Sequence, residues 1–136
     1  MAAGHLFVLG GARSGKTAFA EQTALATGKA PVYLATGGAG DAEMAARIEA
    51  HRAARGPAWQ TVEEPLNLAA AISRESRAET VILVDCLTLW LSNLMADDTD
   101  PLAAGAGLVE ALAAAAGPVI LVSNEVGQGI VPANPL

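Results

Sequence analysis

Short apolar runs recur along the chain and are separated by longer segments with helical spacing. Four runs are apolar at nearly every position, which is typical of parallel strands covered on both faces. The predicted strands are Leu6–Leu9, Pro31–Thr36, Val81–Asp85 and Val119–Val122, and Trp59–Val62 is a short possible strand that includes polar residues. We expect these strands to lie buried in one mainly parallel sheet.

The segments between the strands have the length and spacing of helices. The predicted helices are Ala18–Ala26, Asp41–Arg55, Leu66–Arg77, Leu87–Met95 and Leu102–Ala116. Gly28, Gly56-Pro57 and Gly117-Pro118 follow three of them, and glycine and proline commonly end helices. Pro65 suits the start of the third helix, the acidic segment 97–101 predicts an exposed loop, and residues 123–136 also predict a loop.

Alternating strands and helices predict an α/β fold with helices on both faces of the sheet. No repeat or linker interrupts the pattern, so residues 1–136 are expected to form one domain. Ligands of such sheets bind at the carboxyl ends of the strands, where Thr17, Thr36, Asp85 and Ser123 are expected to converge.

Composition and charge narrow the functional classes. The chain is 52% hydrophobic but only 4% aromatic, so its core must consist mainly of aliphatic side chains. A formal net charge of -6 argues against nucleic acid or an anionic membrane as the main partner. The chain shows no apolar run of membrane-spanning length and no signal peptide, and its single cysteine, Cys86, suits a reducing compartment. A cytoplasmic location is expected.

The segment Gly10–Thr17, with sequence GGARSGKT, matches the phosphate-binding loop pattern G-x-x-x-x-G-K-[ST] at every fixed position. It follows a predicted strand and precedes a predicted helix, as this chemistry requires. The glycines let backbone N–H groups point at phosphate oxygens, and the helix N-terminus adds partial positive charge. Lys16 can reach the outer phosphates of a nucleotide, and the Thr17 hydroxyl can bind Mg²⁺.

Asp85 ends an apolar strand, as the acidic partner of a phosphate loop usually does. Such a carboxylate holds Mg²⁺ directly or through water, opposite Thr17. The alternative is that Asp85 only caps the following helix, but the phosphate loop favours the metal role.

Arg47, His51 and Arg55 lie at i, i+4 and i+8 of a predicted helix and therefore share one face. The guanidinium groups can bind phosphate, and their charge favours the neutral, nucleophilic imidazole. That is what attack on a nucleotide α-phosphate requires. Spacing alone leaves open, and slightly favours, a solvated basic stripe at a helix end.

Several other polar and aromatic residues have more than one interpretation. Glu63 and Glu64 are placed to bind a ribose, orient a base or cap the next helix. Ser123 and its neighbours are placed either to position a substrate hydroxyl or to form a turn. We expect Trp59, Trp90 and Cys86 to have packing roles. We expect His5 to be an incidental residue near the terminus.

In sequence order, these segments resemble the bifunctional adenosylcobinamide kinase/adenosylcobinamide-phosphate guanylyltransferase family of cobalamin synthesis. The resemblance extends over nearly the whole chain and rests on Gly10–Thr17, Tyr33–Thr36, Asp41–Arg52, Trp59–Glu63, Val84–Asn93 and Ser123–Pro132. The segments Asp-Cys-Leu-Thr-Leu-Trp and Ser-Asn-Glu-Val-Gly are far more specific than the phosphate loop, which many families share.

The resemblance implies a RecA-like phosphate-loop fold, two reactions and Mg²⁺ with ATP or GTP. A nucleoside triphosphate phosphorylates adenosylcobinamide; GTP then guanylylates a histidine, which passes GMP to adenosylcobinamide phosphate. His51 stands at the position of that histidine, and Lys16 acts in catalysis. The residues implied in nucleotide binding are Leu9, Gly10, Gly11, Ala12, Arg13, Ser14, Gly15, Lys16, Thr17, Ala35, Thr36, Gly37, Arg52, Ala53, Ala54, Arg55, Glu63 and Asp85, with Thr17 and Asp85 also binding the metal.

Family members usually continue beyond the Ile-Val-Pro segment, whereas this chain ends at Leu136. We therefore expect a C-terminally shortened form of a fold that associates into homo-oligomers. Two alternatives remain: a simple phosphate-loop kinase without a covalent intermediate, and a protein that binds nucleotide without turnover.

Overall fold

The computed structural model describes residues 4–10, 15–37 and 58–124. The strands are β1 (Leu6–Gly10), β2 (Ala30–Ala35), β3 (Gln60–Glu63), β4 (Thr80–Asp85) and β5 (Val119–Asn124). The helices are α1 (Lys16–Ala26), α2 (Leu68–Glu75), α3 (Leu87–Ala96) and α4 (Pro101–Ala114). The helix predicted over Asp41–Arg55 lies outside the described residues.

The strands form one five-stranded sheet in the order β1-β5-β4-β2-β3, and every pairing is parallel. The parallel α/β fold predicted from the apolar runs is confirmed. β5 lies between β1, which leads into the phosphate loop, and β4, which ends at Asp85.

Side chains alternate between two cores, one on each face of the sheet. On β4, Ile82 and Val84 pack in the core that includes residues of α2, α3 and α4, whereas Val81 and Leu83 pack in the core that includes residues of α1. All four side chains are at most 1% exposed. A strand covered on both faces needs apolar residues at consecutive positions, which explains the unbroken runs in the sequence.

β1 differs from the expectation of a buried strand. Leu6, Phe7 and Leu9 are 37%, 56% and 61% exposed, while Val8 is 8% exposed and packs in the core on the α1 face. Within the described residues β1 pairs only with β5, so it is an edge strand. The prediction of burial was wrong here because an apolar run does not reveal the position of its strand in the sheet.

α2 is shorter than predicted at both ends. The carboxylate of Glu64 accepts hydrogen bonds from the backbone N–H groups of Leu66 and Asn67, at 3.2 and 3.0 Å, which holds this segment in a turn before the helix. At the other end Ser76 adopts an extended conformation and ends the helix.

α4 begins one residue earlier than predicted, at Pro101, which was assigned to the acidic loop. The Asp100 side chain accepts a hydrogen bond from the N–H of Leu102 at 3.0 Å, and Pro101 occupies the first turn. Proline suits that position because its missing N–H would have no partner inside the helix.

His5 has a structural role that the sequence did not indicate. Its Nδ1 accepts a hydrogen bond from the N–H of Val119 at 3.0 Å, and its Nε2 lies 2.7 Å from the carbonyl oxygen of Leu112. Nε2 is therefore the nitrogen that carries the proton and donates. The imidazole links the end of α4 to the start of β5.

Among the described residues, no helix is long and apolar enough to cross a membrane.

Candidate nucleotide-binding site

The carboxyl ends of the strands meet along one edge of the sheet. The register pairs Ala35 of β2 with Asp85 of β4, Asp85 with Val122 of β5, and Ser123 of β5 with Leu9 of β1. The strand ends that were expected to converge therefore do so, and the phosphate loop leaves β1 at this same edge.

Between β1 and α1 the structure describes Gly15, which directly precedes the helix. Gly15 has φ of 78°, a left-handed conformation that glycine adopts without steric cost. Lys16 and Thr17 follow in the first turn of α1; Lys16 is 8% exposed and Thr17 is half-buried. Gly10 ends β1.

Asp85 is half-buried at the end of β4, and the hydroxyl of Tyr33 donates a hydrogen bond to its Oδ2. Tyr33 is 4% exposed, and its ring meets that of Trp59 edge-on with the centroids 6.2 Å apart. Tyr33 was not among the predicted site residues. The available signal was an aromatic residue with a polar tip in an otherwise aliphatic strand.

Thr36 connects the end of β2 to the residue that follows Asp85. Its Oγ1 donates to the carbonyl oxygen of Cys86 at 2.8 Å and accepts from the N–H of Cys86 at 3.0 Å. The N–H of Thr36 donates to the carbonyl oxygen of Asp85 at 3.2 Å, and the Asn93 side chain donates to the carbonyl oxygen of Thr36 at 2.7 Å. Thr36 is fully buried, and its hydroxyl links the residue after β2 to Cys86, the residue after β4. Direct contact with a nucleotide stays a prediction.

Cys86 is buried and directly follows Asp85, the last residue of β4. Burial raises the pKa of the Cys86 thiol; the Asp85 carboxylate acts in the same direction, and the Lys16 ammonium group opposes it. The packing role expected for Cys86 agrees with its 8% exposure.

The two adjacent glutamates have different surroundings. Glu64 caps the turn before α2, which is one of the three roles considered for this pair. Glu63 is exposed at the end of β3. The register places it opposite Ala35, so it lies at the same sheet edge as the other candidates.

At the end of β5, the hydroxyl of Ser123 lies 3.1 Å from that of Thr88 in α3. This contact joins β5, which lies between β1 and β4 in the sheet, to α3, the helix that follows Asp85. Ser123 is half-buried and lies within β5, whereas the loop was predicted to begin at this residue.

The donor set fits a hard cation. A threonine hydroxyl and an aspartate carboxylate offer the oxygen ligands that Mg²⁺ prefers, with nucleotide phosphates and water completing its coordination. Among the described residues, no group of three or more His, Cys, Asp and Glu residues is arranged to hold a metal. A dedicated all-protein metal cage is therefore not found in that part of the chain.

The remaining predicted site residues fall into two groups. Ala35 and Gly37 are buried at the end of β2. The predicted residues that lie outside the described ones are Gly11, Ala12, Arg13, Ser14, His51, Arg52, Ala53, Ala54 and Arg55.

These features define a phosphate-loop nucleotide-binding protein, and comparison with a solved structure supports the fold. The crystal structure of the RadB recombinase superimposes with a TM-score of 0.53 and 19% identity, covering 91% of this chain and 66% of that one. At this identity the likeness shows the fold alone, which is RecA-like, as predicted.

The chain belongs to the cobinamide kinase / cobinamide phosphate guanyltransferase family, whose sequence profile matches residues 6–136. It is 51% identical over 127 residues to the bifunctional adenosylcobalamin biosynthesis protein CobP of Pseudomonas aeruginosa, covering 92% of this chain and 73% of that protein. It is also 38% identical over 142 residues to the bifunctional adenosylcobalamin biosynthesis protein CobU of Escherichia coli, covering 93% and 78%. The predicted family, its enzymatic class and its place in cobalamin biosynthesis are thereby confirmed.

Proposed function

We propose that the sheet edge around Lys16 and Asp85 binds ATP or GTP with Mg²⁺ and serves both reactions of the family. The observation that supports this assignment is that Lys16 begins α1, the helix after the phosphate loop, while Asp85 ends β4 at the sheet edge where β1 also ends. A cation for the phosphates and a carboxylate for the metal are the two charges that phosphoryl transfer requires.

In the kinase reaction, the aminopropanol hydroxyl oxygen of adenosylcobinamide attacks the γ-phosphorus. The bond from that phosphorus to the oxygen bridging the β-phosphate breaks, and the nucleoside diphosphate leaves. Lys16 neutralises charge that accumulates on the phosphate oxygens, and Thr17 and Asp85 hold Mg²⁺, which supplies further neutralisation when bound. Ser123 is placed to orient the incoming hydroxyl.

In the guanylyltransferase reaction, we assign His51 as the nucleophile. One of its ring nitrogens attacks the α-phosphorus of GTP and pyrophosphate leaves, which gives a covalent GMP–histidine. A phosphate oxygen of adenosylcobinamide phosphate then attacks the same phosphorus, and the N–P bond breaks. The support for His51 is its position in the family motif between arginines at i-4 and i+4.

The remaining contacts are proposed from the same family motifs. Arg52–Arg55, Glu63 and residues 35–37 contact GTP together with the phosphate loop. Assembly into homo-oligomers and a cytoplasmic location also stay predictions.

The test is incubation of the purified chain with Mg²⁺ and GTP labelled in the α-phosphate. We expect a protein-bound label that is stable in alkali and labile in acid, and that His51→Ala abolishes. Label that persists in His51→Ala would overturn the assignment of that residue.

Two further measurements separate the alternatives. Phosphorylation of adenosylcobinamide without covalent label would favour a simple kinase, and absence of both activities would favour nucleotide binding without turnover. Lys16→Ala is the matched control, since it should abolish both reactions while leaving His51 in place.

A further inference from the structure

Tyr33 reaches Asp85 because of the register between β2 and β4. The register pairs Tyr33 with Leu83 and Ala35 with Asp85, so Tyr33 and Asp85 lie on the same face of the sheet, two residues apart along the strands. Two residues of a parallel strand span about 6.6 Å, a distance that a tyrosine ring can bridge. The phenol accordingly donates to Oδ2 of Asp85.

The Tyr33 ring is held in place by packing. It is 4% exposed and lies in the core on the α1 face, where Trp59 meets it edge-on at 6.2 Å with an interplanar angle of 75°. A buried phenol needs a hydrogen-bond partner, and Asp85 provides one at the boundary between core and site. The core therefore fixes the direction from which one carboxylate oxygen is engaged.

We propose that Tyr33 is a positioning residue that orients the Asp85 carboxylate toward the metal ion of the bound nucleotide. With Oδ2 engaged by the phenol, Oδ1 is the oxygen through which Asp85 acts on the cation. The inference rests on the proposed metal role of Asp85 and extends it by assigning the residue that sets its geometry. Hydrogen bonds of this kind to metal-binding carboxylates typically change metal affinity when they are removed.

The test measures Mn²⁺ binding, as a stand-in for Mg²⁺, by electron paramagnetic resonance with a non-hydrolysable GTP analogue present. Tyr33→Phe removes the hydroxyl and keeps the ring, so we expect the Kd for Mn²⁺ to rise about tenfold. The Mg²⁺ concentration that half-saturates phosphorylation should rise in parallel. Affinity for the analogue without metal should stay within about twofold, since the phosphate loop is unchanged.

Trp59→Phe is the matched control because it alters the same part of the core but keeps an aromatic ring at position 59 and leaves the Tyr33 hydroxyl in place. It should leave the Kd for Mn²⁺ near that of the parent chain. An equal rise in Trp59→Phe and Tyr33→Phe would show a packing effect and overturn the positioning role.

Asp85→Asn distinguishes failure of this inference from failure of the proposed metal site. If Asp85→Asn leaves the Kd for Mn²⁺ unchanged, Asp85 does not bind the metal and both proposals fall. If Asp85→Asn weakens Mn²⁺ binding but Tyr33→Phe does not, only the role of Tyr33 is overturned.

A spectroscopic measurement on the parent chain keeps the inference testable even if a variant does not fold. The chain contains one tyrosine, so the tyrosine doublet of its ultraviolet resonance Raman spectrum reports on Tyr33 alone. We expect the signature of a phenol that donates a strong hydrogen bond. The signature of a phenol that donates none would contradict the geometry on which the inference depends.

Discussion

At the scale of single residues, the burial of Cys86 changes the chemistry of its thiol. Its thiol is buried directly after Asp85 in the chain, and burial raises its pKa. The thiolate is the reactive form, so a raised pKa lowers reactivity at neutral pH. The folded state also holds this proton more tightly than the unfolded chain. The associated stabilisation is therefore present below the ordinary thiol pKa and is lost as the pH rises above it.

We predict that Cys86 reacts slowly with a disulfide reagent at about pH 8 and much faster when the chain is unfolded in guanidinium, where its pKa is ordinary. Absorbance of the released thiolate measures both rates. Since the chain has a single cysteine, Cys86→Ala should give no signal. Equal rates in the native and unfolded chain would contradict the burial of this thiol.

Gly117 lies between α4 and β5, and only glycine fits there because the backbone at Arg77 and Thr80 comes very close to it. A Cβ atom at this position would lie 2.3 Å from the carbonyl oxygen of Arg77 and 2.4 Å from that of Thr80. These are backbone atoms, so the chain itself would have to move. Overpacking of this kind typically costs about 1–3 kcal/mol.

We expect Gly117→Ala to lower the free energy of unfolding by at least about 2 kcal/mol, measured by urea denaturation. Gly105→Ala is the matched control, because a Cβ there meets no atom within 4 Å and the residue lies inside α4. That control should be neutral or stabilise the chain by up to about 1 kcal/mol. Similar losses for both substitutions would contradict the proposed clash.

At the scale of elements, Thr36 ties three of them together at the sheet edge. Its hydroxyl bonds both backbone groups of Cys86, between β4 and α3, while its carbonyl oxygen accepts from Asn93 of α3. Thr36 directly follows β2, so the position of Asp85 depends on the joint between these elements.

Thr36→Val should destabilise the chain by about 2–3 kcal/mol, because it leaves two buried backbone groups of Cys86 without their partner. It should also weaken binding of the GTP–Mg²⁺ complex, since Asp85 precedes Cys86 directly. Urea denaturation and nucleotide titration measure the two effects. Thr36→Ser keeps the hydroxyl and should preserve most of both quantities; losses as large as those of Thr36→Val would refute the hydrogen-bond explanation.

The elements that follow local rules were predictable from the sequence. Apolar runs identified β1, β2, β4 and β5, and the phosphate-loop motif identified the turn into α1, because both signals lie within a few neighbouring residues. The edge position of β1 was not predictable, since it depends on which distant strand pairs with it. The contact of Tyr33 with Asp85 depends on the β2–β4 register, and that of His5 on β5 and α4, so the neighbouring sequence does not identify the partner of either residue.

At the scale of the whole molecule, ligand binding and stability are coupled. A ligand that binds only the folded state at about 100 times its Kd adds about 2.7 kcal/mol of stability. For a domain of this size, that corresponds to a rise in Tm of roughly 10 °C. The proposed nucleotide contacts join β4 to β1 and α1, which lie far earlier in the sequence.

We therefore predict that saturating GTP analogue with Mg²⁺ raises the Tm by roughly 10 °C in a thermal-shift measurement. Lys16→Ala should remove most of this rise without changing the Tm of the ligand-free chain by more than a few degrees. A full rise in Lys16→Ala would mean that the nucleotide binds elsewhere.

The pairing of β1 with β5 has a consequence for how the chain acquires its site during synthesis. Leu6 of β1 lies opposite Ile120 of β5. Among the described strands, β1 therefore has no partner in the sheet until β5 has been synthesised. Contacts this distant in sequence form late and slow folding. A ribosome must therefore release almost all of the described chain before the strand leading into the phosphate loop is anchored. We therefore expect the proposed nucleotide site to form only after β5 has been synthesised.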